Sequence, residues 1–395
     1  MIRRSVSLVH ISLVLFIVSL SVRPLGINYG QLGSNLPHPD QVVTLLKSLR
    51  ITKTRIYDTN PDILRAFAST GIEVIVTVEN NMMAVLSDPQ QALQWVNSHI
   101  APYYPATKIT GIAVGNEVFS DPDSSLMGQV VPAISSIHRA LVQLGLNPFI
   151  HVSTPNSLAV LASSYPPSTG AFKTELAPVM AQFLQFLDAT KSPFWINAYP
   201  FFTYKDDPSQ IPLDYVLMNS NTGMLDRSTN LRYDNMLHAQ VDAVAFAMHR
   251  LGFSNIEVKV SETGWPSSGD PDEAGATLEN AATYTRNMIR RHLLGSEGTP
   301  LRPQSRLDVY LFALFNENLK PGPCSERNYG LYHPDGTLAY NVGMSTLLSS
   351  STFVSSTSRG SHTSSSATKG LNQGSMKTWM LLSCFWLIFH RLIYV

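Results

Sequence analysis

The chain has 395 residues, 44% of them hydrophobic and 14% charged, and its 28 basic and 28 acidic side chains leave no formal net charge. That length holds one large or two ordinary domains, and the balanced charge leaves no bulk basic surface for a phosphate backbone, so nucleic acid is excluded as a partner. Two cysteines cannot staple a scaffold, and apolar residues spread along the chain speak against both disorder and multiple membrane spans.

In chain order, Arg3 and Arg4 precede an apolar stretch over 6–20, and Ser19 and Ser21 supply small residues two apart. This pattern predicts a secretory signal peptide over residues 1–21, with the run ending at Arg23-Pro24 before strand-like sequence. Residues 22–344 then alternate short β-rich runs with helical stretches. The runs fall at 25–29, 54–57, 73–78, 109–114, 149–153, 194–198, 257–261 and 308–315; helices are expected over 40–49, 89–99, 126–144, 176–189, 233–251 and 276–294. Eight such units in about 320 residues predict parallel strands covered by helices and fit a closed (β/α)8 TIM barrel forming a single catalytic domain. A doubly wound sheet would need a nucleotide-type glycine loop after its first strand, and Gly26-Ile-Asn-Tyr-Gly30-Gln-Leu-Gly33 has the wrong spacing for it.

Residues 345–366 form a Ser/Thr-rich linker, and 367–395 pass from a polar spacer into an apolar tail starting at Trp379. Small residues, spacer and tail together predict a GPI-attachment signal, with Ser365 or Ser366 as the modified residue and a spacer of about ten residues. His390 and Arg391 within a barely long enough tail argue against a spanning anchor. The expected location is the outer face of the plasma membrane, facing the wall. Removal of Cys384 with the tail would leave Cys324 as a single thiol, expected to be buried rather than bridged. No Asn-x-Ser/Thr acceptor occurs.

Chemistry in a barrel sits where strands end at the C-terminal face. The fourth run leads through Val114-Gly-Asn116-Glu117, and the seventh through Val260-Ser-Glu262-Thr-Gly-Trp265-Pro, which puts two carboxylates at one mouth. A single glutamate at a strand end would read as a capping or ion-pairing group. Two, each beside an Asn or Trp suited to sugar contact, are what glycoside hydrolysis requires. No serine-hydrolase elbow, zinc-protease motif or phosphate-binding loop accompanies them. His238 and His249 sit too far apart on their helix for a local metal pair, so no metal and no cofactor are expected.

Four segments carry a family resemblance: Val114-Gly-Asn-Glu-Val118, Val260-Ser-Glu-Thr-Gly-Trp-Pro-Ser267, Gly26-Ile-Asn-Tyr-Gly-Gln31 and Leu311-Phe-Ala-Leu-Phe-Asn-Glu-Asn-Leu-Lys-Pro321. Together, over 25–344, the sequence resembles plant glycoside hydrolase family 17, the endo-1,3-β-glucanases. The resemblance implies a retaining barrel enzyme cutting 1,3-β-glucans such as callose, with Glu117 as acid/base and Glu262 as nucleophile. It further implies substrate contacts from Tyr29, Asn116, Tyr199, Phe202, Trp265, Glu317 and Lys320. Longer plant members carry a six-cysteine carbohydrate-binding module, which two cysteines cannot supply. A glucan-binding barrel without turnover would have no need of both glutamates. The expected partners are the polysaccharide and, through the anchor, the plasma membrane, with the protein as a monomer.

Overall fold

The computed structural model describes residues 25–121, 124–294 and 298–343. All of them belong to the first of two compact units, Met1–Leu348; the second, Ser349–Val395, lies outside the described residues, as do the expected signal peptide, Ser/Thr-rich linker and attachment signal.

The strands in chain order are β1 (Gly26–Tyr29), β2 (Lys53–Ile56), β3 (Glu73–Val78), β4 (Lys108–Val114), β5 (His151–Ser153), β6 (Pro155–Ser157), β7 (Leu161–Ser163), β8 (Ala171–Phe172), β9 (Phe194–Asn197), β10 (Met224–Asp226), β11 (Leu231–Tyr233), β12 (Val258–Thr263) and β13 (Asp308–Leu311). β7 with β8 and β10 with β11 are small antiparallel ladders; the other nine form one parallel sheet in the order β5-β4-β3-β2-β1-β13-β12-β9-β6. The two outer members of that order are consecutive in the chain. Thr154 separates them, β5 pairs with β4 (Gly111 opposite His151), and β6 pairs with β9 (Pro155 opposite Trp195). They are two halves of one stave, so the sheet curls into a barrel of the (β/α)8 type.

The helices are α1 (Pro39–Ser48), α2 (Pro61–Ala66), α3 (Met83–Leu86), α4 (Pro89–His99), α5 (Met127–Gln143), α6 (Ala177–Thr190), α7 (Pro200–Asp206), α8 (Leu213–Val216), α9 (Met236–Arg250) and α10 (Leu278–Leu294). Their starts follow local chemistry: Asp88 accepts from the backbone of Gln90 and Gln91 ahead of α4, Asn60 caps α2 and Asn235 caps α9. The helix expected from residue 233 begins later because Tyr233 closes the β10–β11 ladder. Short α2, α3, α7 and α8 were too brief to register as periodic segments.

Alternation along the staves divides the core in two. Ile75, Ala113, Trp195 and Tyr310 fill the barrel interior, while a larger apolar cluster packs between staves and helices. Two bulky rings fit inside because glycine faces them. A Cβ at Gly26 would lie 2.5 Å from the Tyr310 ring, and one at Gly111 would lie 3.0 Å from Trp195. Among the described residues no helix is long and apolar enough to cross a membrane.

Candidate active site

The same alternation selects what reaches the barrel mouth. On β2, Lys53 and Arg55 point inward, and Tyr57 follows one step beyond the strand. Arg55 is wholly buried, so its guanidinium has to be paired inside the barrel. Its Nη1 donates to Glu262 Oε1 over 2.7 Å and its Nη2 to Asn116 Oδ1 over 2.8 Å. Tyr57 Oη donates to Glu262 Oε1 and Tyr199 Oη to Glu262 Oε2, each over 2.8 Å. Burial first, and then the charge of Glu262, hold both phenols well above the ordinary tyrosine range, so they remain neutral donors.

β12 carries Glu262 inside the strand, which runs on to Thr263, two residues beyond the expected end at 261. Val260 lies opposite Ile196 and Glu262 opposite Asn197, so β12 spends an extra residue at Ser261. Strict alternation would send Ser261 and Glu262 to opposite faces. The bulge lets both turn inward, Ser261 to Asn197 and Glu262 to Arg55.

Glu117 sits just past β4, with φ of 55° after Gly115 at 73°, a left-handed turn that swings the chain across the mouth. Its Oε1 accepts from Asn197 Nδ2 over 2.8 Å. Burial first, and the nearby Glu262 second, raise its pKa from 4.5 to about 7, while Asn197 and Arg55 pull against the rise. The two carboxylates are thus unequal: Glu262 accepts from a guanidinium and two phenols, whereas Glu117 is pushed toward its neutral form.

Glu317 accepts from the backbone N–H of Leu32 over 3.0 Å. Its carboxyl group occupies the space beside Gly30, where a Cβ would lie 2.2 Å from Glu317 Cδ. Burial raises its pKa, against the pull of the Leu32 bond and of Lys320. Lys320 binds Glu326 at 3.0 Å and lies 4.6 Å over the Phe312 ring. Burial alone would lower Lys320, but Glu326, Glu317 and Glu262 outweigh it and raise it.

The other expected contacts divide. Phe202 is 38% exposed and packs 5.3 Å from the Tyr199 ring, so this pair offers an aromatic surface beside Glu262. Asn116 has Oδ1 engaged by Arg55, and among the described residues its Nδ2 has no partner. Tyr29 and Trp265 are corrections. Tyr29 falls on the outward alternation of β1 and is buried against Phe315, whereas its neighbour Asn28 faces inward and donates to Tyr57 Oη over 3.0 Å. Trp265 is 1% exposed, its indole N–H donates to the Gly275 carbonyl over 2.8 Å, and Phe201, Tyr204 and Tyr284 surround it. Neither has a face to give to a sugar. Cys324 is unbridged but only half-buried, with Asn328 Nδ2 at 3.5 Å from its Sγ. Ser365 and Ser366 lie outside the described residues. Among the described residues no group of three or more His, Cys, Asp and Glu side chains is placed to hold a metal.

Sequence reading missed Arg55, Tyr57, Asn197 and Asn28. The signal for the first two was available, since Lys53-Thr-Arg-Ile-Tyr57 alternates, and a charge on the inward face of a buried strand needs a partner there.

A parallel barrel with one carboxylate past β4 and a second in β12, unequal in their hydrogen-bonded surroundings, has the arrangement of a glycoside hydrolase with two catalytic carboxyl groups. The chain belongs to glycosyl hydrolases family 17, whose sequence profile matches residues 25–344. It is 50% identical over 341 residues to glucan endo-1,3-beta-glucosidase 11 of Arabidopsis thaliana, covering 86% of this chain and 80% of that one. With Arabidopsis glucan endo-1,3-beta-glucosidase 14 it shares 48% identity over 337 residues, 84% of this chain and 86% of that one. Among solved structures, CJP38, a beta-1,3-glucanase and allergen of Cryptomeria japonica pollen, superposes with a TM-score of 0.78 at 45% identity, covering 81% of this chain and 99% of that chain.

Proposed function

We propose that this protein is a retaining endo-hydrolase of 1,3-β-glucosidic bonds in 1,3-β-glucans. The unequal environments of Glu117 and Glu262 carry the reading, and the names of its relatives support the substrate. Glu262, with its charge met by Arg55, Tyr57 and Tyr199, attacks the anomeric carbon as the bond to the departing oxygen breaks. Glu117, neutral below about pH 7, gives that oxygen its proton. Once Glu262 is esterified its charge is gone, so the second-largest cause of the Glu117 rise disappears and Glu117 accepts a proton from the incoming water. Asn116, with Oδ1 held by Arg55, presents Nδ2 to the sugar 2-hydroxyl. The Tyr199–Phe202 surface receives the apolar face of a glucosyl ring.

The test is digestion of a linear 1,3-β-glucan followed by NMR of the first products. Internal cutting with retention gives a mixture of oligosaccharides whose new reducing ends are initially β. An initial α anomer would overturn retention, and binding without products would overturn hydrolysis.

We infer from residues 1–21 and 345–395 that the enzyme is secreted and tethered by a GPI anchor, since the basic-apolar leader and the small-residue, spacer and apolar tail succession support it. Phosphatidylinositol-specific phospholipase should release it from plasma membrane. Release by detergent alone, with the peptide 379–395 retained, would overturn the anchor.

A further inference from the structure

The residues behind the two glutamates form a hydrogen-bonded circuit whose direction is fixed. A guanidinium has only donors. The Asn116 atom that meets Arg55 Nη2 at 2.8 Å is therefore the amide oxygen. That same oxygen lies 3.4 Å from the Asn197 amide, so the Asn197 atom facing it has to be nitrogen, because two amide oxygens would repel. Asn197 Nδ2 also faces Glu117 Oε1, at 2.8 Å. Its Oδ1 is thereby turned the other way, onto Ser261 Oγ at 2.8 Å, and Ser261 must be the donor. From nucleophile to acid the chain reads Glu262, Arg55, Asn116, Asn197, Glu117, with Ser261 bracing the fourth member. Asn197 and Ser261 are both buried; Asn197 lies opposite Glu262 across the β9–β12 bulge, and Ser261 is the extra residue of that bulge.

We propose that Asn197, braced by Ser261, is the positioning residue that decides which oxygen of Glu117 carries the transferable proton, and so sets the alkaline limit of the enzyme. An oxygen that accepts from Asn197 Nδ2 keeps its lone pair for that bond, which leaves Oε2 as the site of the proton given to the leaving group and later recovered from water. The bond is also stronger to the ionised form than to the neutral one, so it restrains the rise that burial imposes on Glu117. Ser261 touches neither carboxylate. It acts through the amide, by holding Oδ1 and so denying Asn197 the flipped orientation in which Glu117 would donate its proton to Asn197 instead of to substrate.

This inference rests on Glu117 being the acid/base. The experiment measures kcat/KM against pH for the full-length enzyme on aryl 1,3-β-gluco-oligosaccharides with a poor and an excellent leaving group, in Asn197→Ala, Ser261→Ala, Ser261→Thr and Glu117→Ala. Asn197→Ala is expected to move the alkaline limb about one pH unit upward and lower kcat/KM about 10- to 100-fold for the poor leaving group only. Ser261→Ala should move the limb the same way by a smaller step, and Ser261→Thr, which keeps the hydroxyl, should leave it in place. In the wild-type enzyme the side-chain amide protons of Asn197 should titrate by NMR with the midpoint of the limb, a readout that needs no folded variant. If Glu117→Ala retains the alkaline limb, the assignment of Glu117 itself fails. If Glu117→Ala abolishes the limb while Asn197→Ala and Ser261→Ala keep it at the wild-type pH, or the Asn197 amide does not titrate with it, the positioning role fails alone.

Discussion

Single residues carry the division of labour proposed for Glu117 and Glu262, and substitution reads it out stereochemically. If Glu262 forms the covalent intermediate, as proposed, Glu262→Ala should lose several orders of magnitude in rate even on substrates whose leaving group needs no proton. Glu117→Ala should keep the first step on such activated substrates and stall at the second, for want of a base. Azide entering the space of the missing carboxyl then attacks from the face opposite Glu262, and the product is the β-glycosyl azide. In Glu262→Ala, azide displaces the leaving group once and gives the α-azide. The α product from Glu117→Ala, or rescue of neither, would reverse or remove the assignments. Both glutamates were legible in the sequence because each stands at the end of an apolar run. Their partners were harder to see: Arg55 leaves its signal only in the alternation of a four-residue strand, and Asn197 acquires meaning only from what stands across the mouth. Tyr29 and Trp265 show the converse error, since an aromatic in a hallmark segment serves cleft and core equally well on paper, and both proved to be packed away.

At the level of elements, apolar runs bounded by breakers located all eight staves, because parallel strands buried on both faces leave that signature. Two features escaped, and both are departures from strict period two. The fifth stave is broken at Thr154 into β5 and β6, which allows one half to follow β4 and the other β9. β12 bulges at Ser261 and so aims two successive side chains into the mouth. Neither irregularity leaves a residue-type signal, since Ser and Thr fit regular strands as well as bulges. The glycines do leave one. Gly26 and Gly111 make room for Tyr310 and Trp195 inside the barrel, and Gly30 makes room for the Glu317 carboxyl group, so glycine placement links the packing of the barrel floor to the geometry of its mouth. The left-handed step at Gly115 and Glu117 belongs with them, because it ends β4 and places Glu117 beside Asn197 in the same turn.

For the molecule as a whole, the raised pKa of Glu117 bears on stability as well as on the acid role proposed for it. Unfolded, Glu117 has its ordinary value of 4.5; folded, about 7, so between those limits the native state binds more protons than the unfolded state. Stability contributed at this site is therefore full below pH 4.5 and declines as pH rises through 7, the reverse of an ion-paired carboxylate. A shift of that size corresponds to roughly 3 kcal/mol if fully expressed, and partial exposure of the side chain reduces the expected effect to about 2 kcal/mol. Glu117→Gln, neutral at every pH and close in shape, should accordingly be more stable than the wild type by about that amount at pH 8, with the advantage shrinking toward zero at pH 4.5. Urea denaturation of both proteins at the two pH values measures it. An equal difference at both would mean that Glu117 is not held neutral by the fold, and the acid role would lose its physical basis. A growing advantage at high pH, paired with lost turnover in the same variant, would identify an active site that retains a destabilising carboxyl group because the reaction requires its proton.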